Sequence, residues 1–255
     1  TVITGTVQNG IAKVGDELDI FPSKLKTKIR GIQSHGGSKN HTETGDRAAL
    51  NLAHVKSSEL FRGTVLATPK CLQVSFRLIA NISMTQTTNW VIKNKQRLRF
   101  YFGTAEILGR VSGGKLEKGQ TGNVIIDLET PVAIAMDDKF FIRSYSPMET
   151  IAGGKVLDPN PVGKWSEIKD RREQLPLNSK ERFVYLIDED WRFPKSKEAW
   201  KSLFFISHVK LEIWINDLEL IESNSGILYS KTGLLKANDD LLSFFNLYML
   251  YFRLV

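Results

Sequence analysis

The segment Pro159-Asn160-Pro161-Val162-Gly163 divides this sequence in two. Its two prolines remove backbone donors and push the residues before them out of the helical region, so no regular element continues through it. The hydrophobic period also differs on either side. Before it, short runs rich in Val, Ile and Thr alternate with turn signals at Asn9-Gly10, Gly15-Asp16, Gly36-Gly37 and Gly45-Asp46. Strands are expected near 1–8, 17–21, 26–34, 46–51 and 63–67, and after Pro69 near 72–83, 97–102, 104–111, 121–129, 139–145 and 154–157. Closely spaced turns without a convincing helix predict small antiparallel barrels, which close on themselves and leave few unpaired edges.

After the break the spacing is helical. Trp165, Ile168, Arg172 and Leu175 share one helical face, and further helices are expected near 179–189, 197–205, 207–217 and 239–252. Leu218–Ile221 and Ile227–Ser230, joined across Asn224-Ser225-Gly226, read as a hairpin, and helices followed by a hairpin predict a winged helix. The expected fold class is mainly β, then α+β. Residues 1–70 and 71–160 form two small antiparallel β-barrels, and 161–255 form a truncated winged-helix-like domain. The chain opens at Thr1 in mid-strand and ends in the apolar run before Val255, which predicts a piece of a longer protein.

Charge narrows the choice of partner. Residues 1–70 carry 10 Lys and Arg against 6 Asp and Glu, residues 71–160 carry 11 against 8, and residues 161–255 carry 14 against 14. The whole surplus of +7 therefore lies in the β region, where a polyanion is best sought. A lone cysteine, Cys71, forms no internal disulfide and fits a reducing cytoplasm. No apolar run approaches the roughly 18–20 residues of a membrane-spanning helix.

Catalytic patterns are missing. The sequence contains neither GxxxxGK[ST] nor GxGxxG, and Ser112-Gly113-Gly114-Lys115 reads as a hairpin turn. His35, His41, His54 and His208 have no zinc-site spacing, although His35 and His41 could share a loop. Asp137-Asp138 reads as a turn before a strand, and no nucleophile has an evident base. The aromatic residues Trp191, Trp200, Phe204, Phe205 and Trp214 are expected in a core.

Two stretches carry a resemblance. Thr4-Gly5-Thr6-Val7, Gly10, Gly15-Asp16, Pro22, the run Gly45-Asp46-Arg47-Ala48-Ala49-Leu50-Asn51-Leu52 and Arg62-Gly63-Thr64-Val65-Leu66 resemble the second domain of translational GTPases of the elongation factor Tu type. Gly103-Thr104-Ala105-Glu106-Ile107-Leu108-Gly109-Arg110-Val111, followed by the segment from Ile142-Arg143-Ser144-Tyr145-Ser146-Pro147 to Asp158-Pro159, resembles the third domain of the selenocysteine-specific elongation factors. Ala152 departs from that family's usual Gly, and Tyr101 from its usual His.

The resemblance implies a cytoplasmic factor that delivers selenocysteinyl-tRNA to the ribosome at recoded UGA codons. In the complete parent it also implies GTP, magnesium and an mRNA hairpin as partners, with neither DNA nor membrane. It places Arg47 opposite the selenol of the aminoacyl group. A selenol is largely ionised at neutral pH, unlike the hydroxyl of serine, so a permanent guanidinium favours it. Without the resemblance, Arg47 reads equally well as the partner of Asp46 or as a surface charge. Lys24, Lys26, Lys28 and Arg30 recur in period two, as do Arg97 and Arg99, and such rows can track tRNA phosphates. Two alternatives remain open. One is a stand-alone barrel and winged-helix RNA-binding protein; the other is a different translational GTPase of the elongation factor Tu type.

Overall fold

The computed structural model describes residues 1–34, 36–69 and 71–252, with the side chains of 246–252 outside the description. In the first β unit the strands are β1 (Val2–Thr6), β2 (Ile11–Lys13), β3 (Glu17–Phe21), β4 (Leu25–Ser34), β5 (Gly37–Lys39), β6 (His41–Glu43), β7 (Arg47–Leu52) and β8 (Val65–Ala67). They pair in the order β1-β7-β4-β3-β8, with β5 also on β4, and β2 and β6 form a separate ribbon. Alternation along β4 buries Thr27 and Ile29 and exposes Lys26 and Lys28. The apolar side is sealed by Ile29, Ile32, Ala48 and Leu52.

The second unit contains β9 (Gln73–Met84), β10 (Gln96–Phe102), β11 (Ala105–Ser112), β12 (Thr121–Ile134), β13 (Lys139–Arg143) and β14 (Thr150–Asp158). These close into a barrel in the order β10-β11-β12-β9-β14-β13. Its interior is filled by Leu78, Ile82, Leu98, Phe100, Val111 and Phe140 with their neighbours. Gly109 is required by this packing, because a Cβ there would lie 2.8 Å from the carbonyl oxygen of Asp127. A register shift between Ile142 and Arg143 marks a bulge beside the buried Ala152, so the departure from Gly is accommodated.

The helices are α1 (Trp165–Gln174), α2 (Ser179–Glu189), α3 (Lys197–Phe204), α4 (His208–Asp217) and α5 (Lys231–Phe252), with the hairpin strands β15 (Ile221–Glu222) and β16 (Leu228–Tyr229) between the last two. Caps define their starts. The Asn178 side chain accepts from the amides of Lys180 and Glu181, Ser196 from Ala199, and Ser207 from Lys210. A single bridge between Ser196 and Ile227 ties the segment before α3 to the hairpin.

Several elements differ from sequence expectation. The strands β2, β5 and β6 were not expected, β12 continues past residue 129 to Ile134, and α5 begins at Lys231 rather than Asp239. Trp200, Phe204 and Trp214 are buried, but Phe205 is not. It ends α3 in the left-handed conformation with φ +51° and is 40% exposed. Trp191 is only half-buried. Among the described residues no helix is long and apolar enough to cross a membrane.

Candidate nucleic-acid interface

Arg47 is positioned by the turn that precedes it. Gly45 takes φ +97°, and the Asp46 carboxylate accepts from the Thr42 hydroxyl at 3.0 Å and the Glu43 amide at 3.1 Å. Asp46 thus holds the β6–β7 turn, and no Arg47–Asp46 ion pair forms, so of the two simpler readings of Arg47 the surface charge is the one the fold leaves open. Arg47 opens β7 opposite Thr6, and its carbonyl accepts from the Ser34 hydroxyl at 3.1 Å. Its exposed guanidinium borders a shallow cleft of about 280 Å³ lined by Thr4, Gln33, Ser34, Gly36, Ala48 and Ala49. A cation with no ion pair to a described residue, among small and neutral polar side chains, suits a small anionic group.

The lysine row is only partly what its spacing predicted. Lys26 and Lys28 lie on the exposed side of β4, opposite Asp19 and Glu17 of β3. Arg30 falls between the Ile29–Leu52 and Gly31–Asn51 pairs, so it is the extra residue of a bulge. Lys24 is not on the strand: it sits in the preceding turn at φ +61°, its amide donating to the carbonyl of Ile20 at 2.6 Å. None of the four forms an ion pair with a described residue. The row shares β4 with Gln33 of the cleft, about 10 Å along the strand from Arg30 at roughly 3.3 Å per residue.

Arg97 and Arg99 share a face of β10, but their charges are already matched. Arg97 grips Glu129 with two bonds of 2.6 and 2.7 Å, and Arg99 pairs with Glu106. Both guanidiniums lie over the Tyr145 ring, at 5.5 and 4.9 Å from its centroid. Glu106 also accepts from the Tyr101 hydroxyl at 2.9 Å. That bond and the one from Arg99 hold its carboxyl below the ordinary range, as Arg97 does for Glu129.

Sequence spacing missed a third cation here. Arg143 of β13 lies 5.2 Å from the centroid of the Tyr101 ring and forms no ion pair with a described residue. Its signal was the alternation Phe141, Arg143, Tyr145, which parallels Arg97, Arg99, Tyr101 on the neighbouring strand. His35, which could share a loop with His41, lies outside the described residues. Among those described, no three His, Cys, Asp or Glu side chains converge as a metal site would require.

The two β units each match a domain of translation elongation factors. Residues 1–67 match the model of elongation factor Tu domain 2, and residues 79–162 match the β-barrel domain of the selenocysteine-specific elongation factor. The β region is thus similar to the second and third domains of selenocysteine-specific elongation factors. The chain is 34% identical over 167 residues to the selenocysteine-specific elongation factor of Desulfomicrobium baculatum, covering 64% of this chain and 26% of that protein. It thus spans about a quarter of that relative's length. Elongation factor Tu 2 of Streptomyces avermitilis is 28% identical over 129 residues, 49% of this chain and 33% of its own.

The fold is shared with the crystal structure of a bacterial selenocysteine-specific elongation factor, EF-Sec, at a TM-score of 0.75 and 24% identity. That match covers 95% of this chain and 39% of the other. The apo form of elongation factor SelB from Methanococcus maripaludis gives a TM-score of 0.56 at 24% identity, covering 63% and 40%.

Proposed function

We propose that this chain is the tRNA-binding middle portion of a cytoplasmic elongation factor that delivers selenocysteinyl-tRNA to the ribosome at recoded UGA codons. The observation that carries this is the Arg47 cleft: an exposed guanidinium with no ion pair to a described residue, set among Thr4, Ser34, Ala48 and Ala49, on a domain similar to elongation factor Tu domain 2. Residues 1–70, 71–160 and 161–255 are read as the second domain, the third domain and the first winged-helix module of such a factor. An mRNA hairpin would be bound by parts of the longer protein outside this chain.

In this reading Arg47 faces the ionised selenol, and Lys24, Lys26, Lys28 and Arg30 neutralise phosphates of the acceptor arm. Arg97 and Arg99 contribute through the second barrel, where each must share its charge between a carboxylate and a phosphate. GTP and magnesium belong to the longer protein. The residues here do not fit them: neither the 280 Å³ cleft nor the 760 Å³ groove beside Trp90 and Lys93 is lined by a helix start.

The deciding experiment compares selenocysteinyl-tRNA with seryl-tRNA in the complete factor, with and without Arg47→Ala. The expected result is a loss of discrimination, at least tenfold, with seryl-tRNA binding unchanged. Intact discrimination in the variant would remove Arg47 from this role. Equal binding of both tRNAs by the unmodified factor would leave an RNA-binding chain without selenocysteine specificity.

A further inference from the structure

The second barrel has an apolar exterior along one side. On β9, Leu78, Ile79 and Ala80 are all fully buried although successive strand residues point to opposite faces. Leu78 and Ala80 fill the barrel, whereas Ile79 packs outward. Ile125 between Val124 and Ile126, and Leu157 beside Val156, repeat the arrangement on β12 and β14. These outward residues and Met136 join Ile168, Leu175, Phe183, Leu186 and Trp200 of the helices in one core.

Polar contacts fasten the edges of that core at three places. At the first, Arg182, 0% exposed, donates to Asp137 at 2.6 Å and to the carbonyls of Pro176 and Leu177 at 2.9 and 3.1 Å. Asp137 also accepts from Ser179 and lies 3.2 Å from Lys155. At the second, Arg171 bridges Asp158 at the end of β14 and Asp190 at the end of α2, 3.4 Å from each, and Asp190 also pairs with Lys195. At the third, the Asn123 amide donates to the carbonyls of Arg172 and Leu175 at 3.0 and 3.2 Å.

We propose that the second barrel and helices α1–α4 are one rigid folding unit, joined by a shared apolar core and two ionic clamps. Domains within a chain move relative to one another by default unless the interface is large and hydrophobic, and here the interface continues into the core of the helical part. Its edges are set by buried charges, each costly to leave unpaired. The wing and α4 are therefore carried at a fixed attitude by the barrel, and Pro159–Gly163 is a corner rather than a hinge. The inference holds whatever the barrels bind.

Two measurements on the full chain test it. Backbone ¹⁵N relaxation should give one rotational correlation time for amides of β9, β12, α1 and α2. A distinctly shorter time for the helices would overturn the proposal without any substitution. Hydrogen exchange on Arg182→Ala should then show protection falling by the same factor, tenfold or more, in β9 and β12 as in α1 and α2. Protection lost from the helices alone, or from neither part, would overturn it equally.

Discussion

Gly63 stands where the first β unit meets the second barrel. It holds φ at +99°, and a Cβ there would lie 2.7 Å from the Cβ of Ala105. The neighbouring Arg62 donates to the carbonyl of Thr104 at 3.3 Å. An Ala at residue 63 must take a left-handed conformation and push β11 away, so Gly63→Ala should cost about 1–3 kcal/mol. The check is a lowered midpoint in thermal unfolding.

Asp137 offers a prediction in pH. Burial raises its carboxyl, but bonds from Ser179, Arg182 and Lys155 together outweigh that, leaving it below the ordinary 3.8. A depressed carboxyl contributes stability above its unfolded pKa and loses it as pH falls through the folded value. Asp158, wholly buried, is pushed up by that burial and has the opposite sign. The difference between proteins is therefore the useful quantity. Asp137→Asn should be less stable than wild type in urea at pH 7 and should lose less on acidification to pH 3.

Helices α2, α3 and α4 meet around Phe183, whose ring lies 5.5 Å from Trp200, 5.3 Å from Phe204 and 5.3 Å from Trp214. Removing it leaves a cavity between rings that cannot collapse together, so Phe183→Ala should cost about 3–5 kcal/mol. Urea unfolding followed by tryptophan fluorescence measures this directly. These helices were legible because their apolar spacing and their Asn and Ser caps are local signals. The start of α5 was not: Ser230 accepts from the Gly233 amide at 2.8 Å, a cap hidden by the glycine after it.

Short strands escaped for a different reason. β5 is exposed at every residue, and β2 and β6 each bury at most their middle residue, so little alternation marks them. β12 runs on through Pro131, which the fold accommodates with a register shift between Asp127 and Val132. The candidate site divides along the same line. Lys26 and Lys28 announce themselves by period, whereas the Arg97–Glu129 pair joins residues 32 positions apart and depends on cross-strand register. Val124 and Ile126 face the barrel interior while Ile125 is covered by the helical part, a two-sided burial that the expected strand at 121–129 did not announce.

Across the whole molecule, the two halves handle their charge differently. In the helical part most cations are spent internally, as in Lys180–Asp217, Arg192–Asp240 and Lys197 with both Glu212 and Glu222. In the first β unit, Lys26, Lys28, Arg30 and Arg47 form no ion pair with a described residue. RNA affinity should therefore fall with salt, the log–log slope changing by roughly 0.7–0.9 for each phosphate neutralised. Replacing Lys26 and Lys28 together by Ala should make the slope shallower by about twice that amount. Lys197→Ala should leave it unaltered. Fluorescence anisotropy titrations against tRNA at several salt concentrations distinguish the two.

The order of strands in the second barrel also governs how the chain can be made. β9 is the first of the six to be synthesised, yet it pairs with β12 and with β14, the last. Its outward Ile79 is then covered only by helices that come later still. During synthesis this strand must wait, one side unpaired and both faces greasy, until almost the whole of the next hundred or so residues has emerged. The growing chain is thus most open to aggregation, and most in need of a chaperone, at the very segment that ends up the best protected.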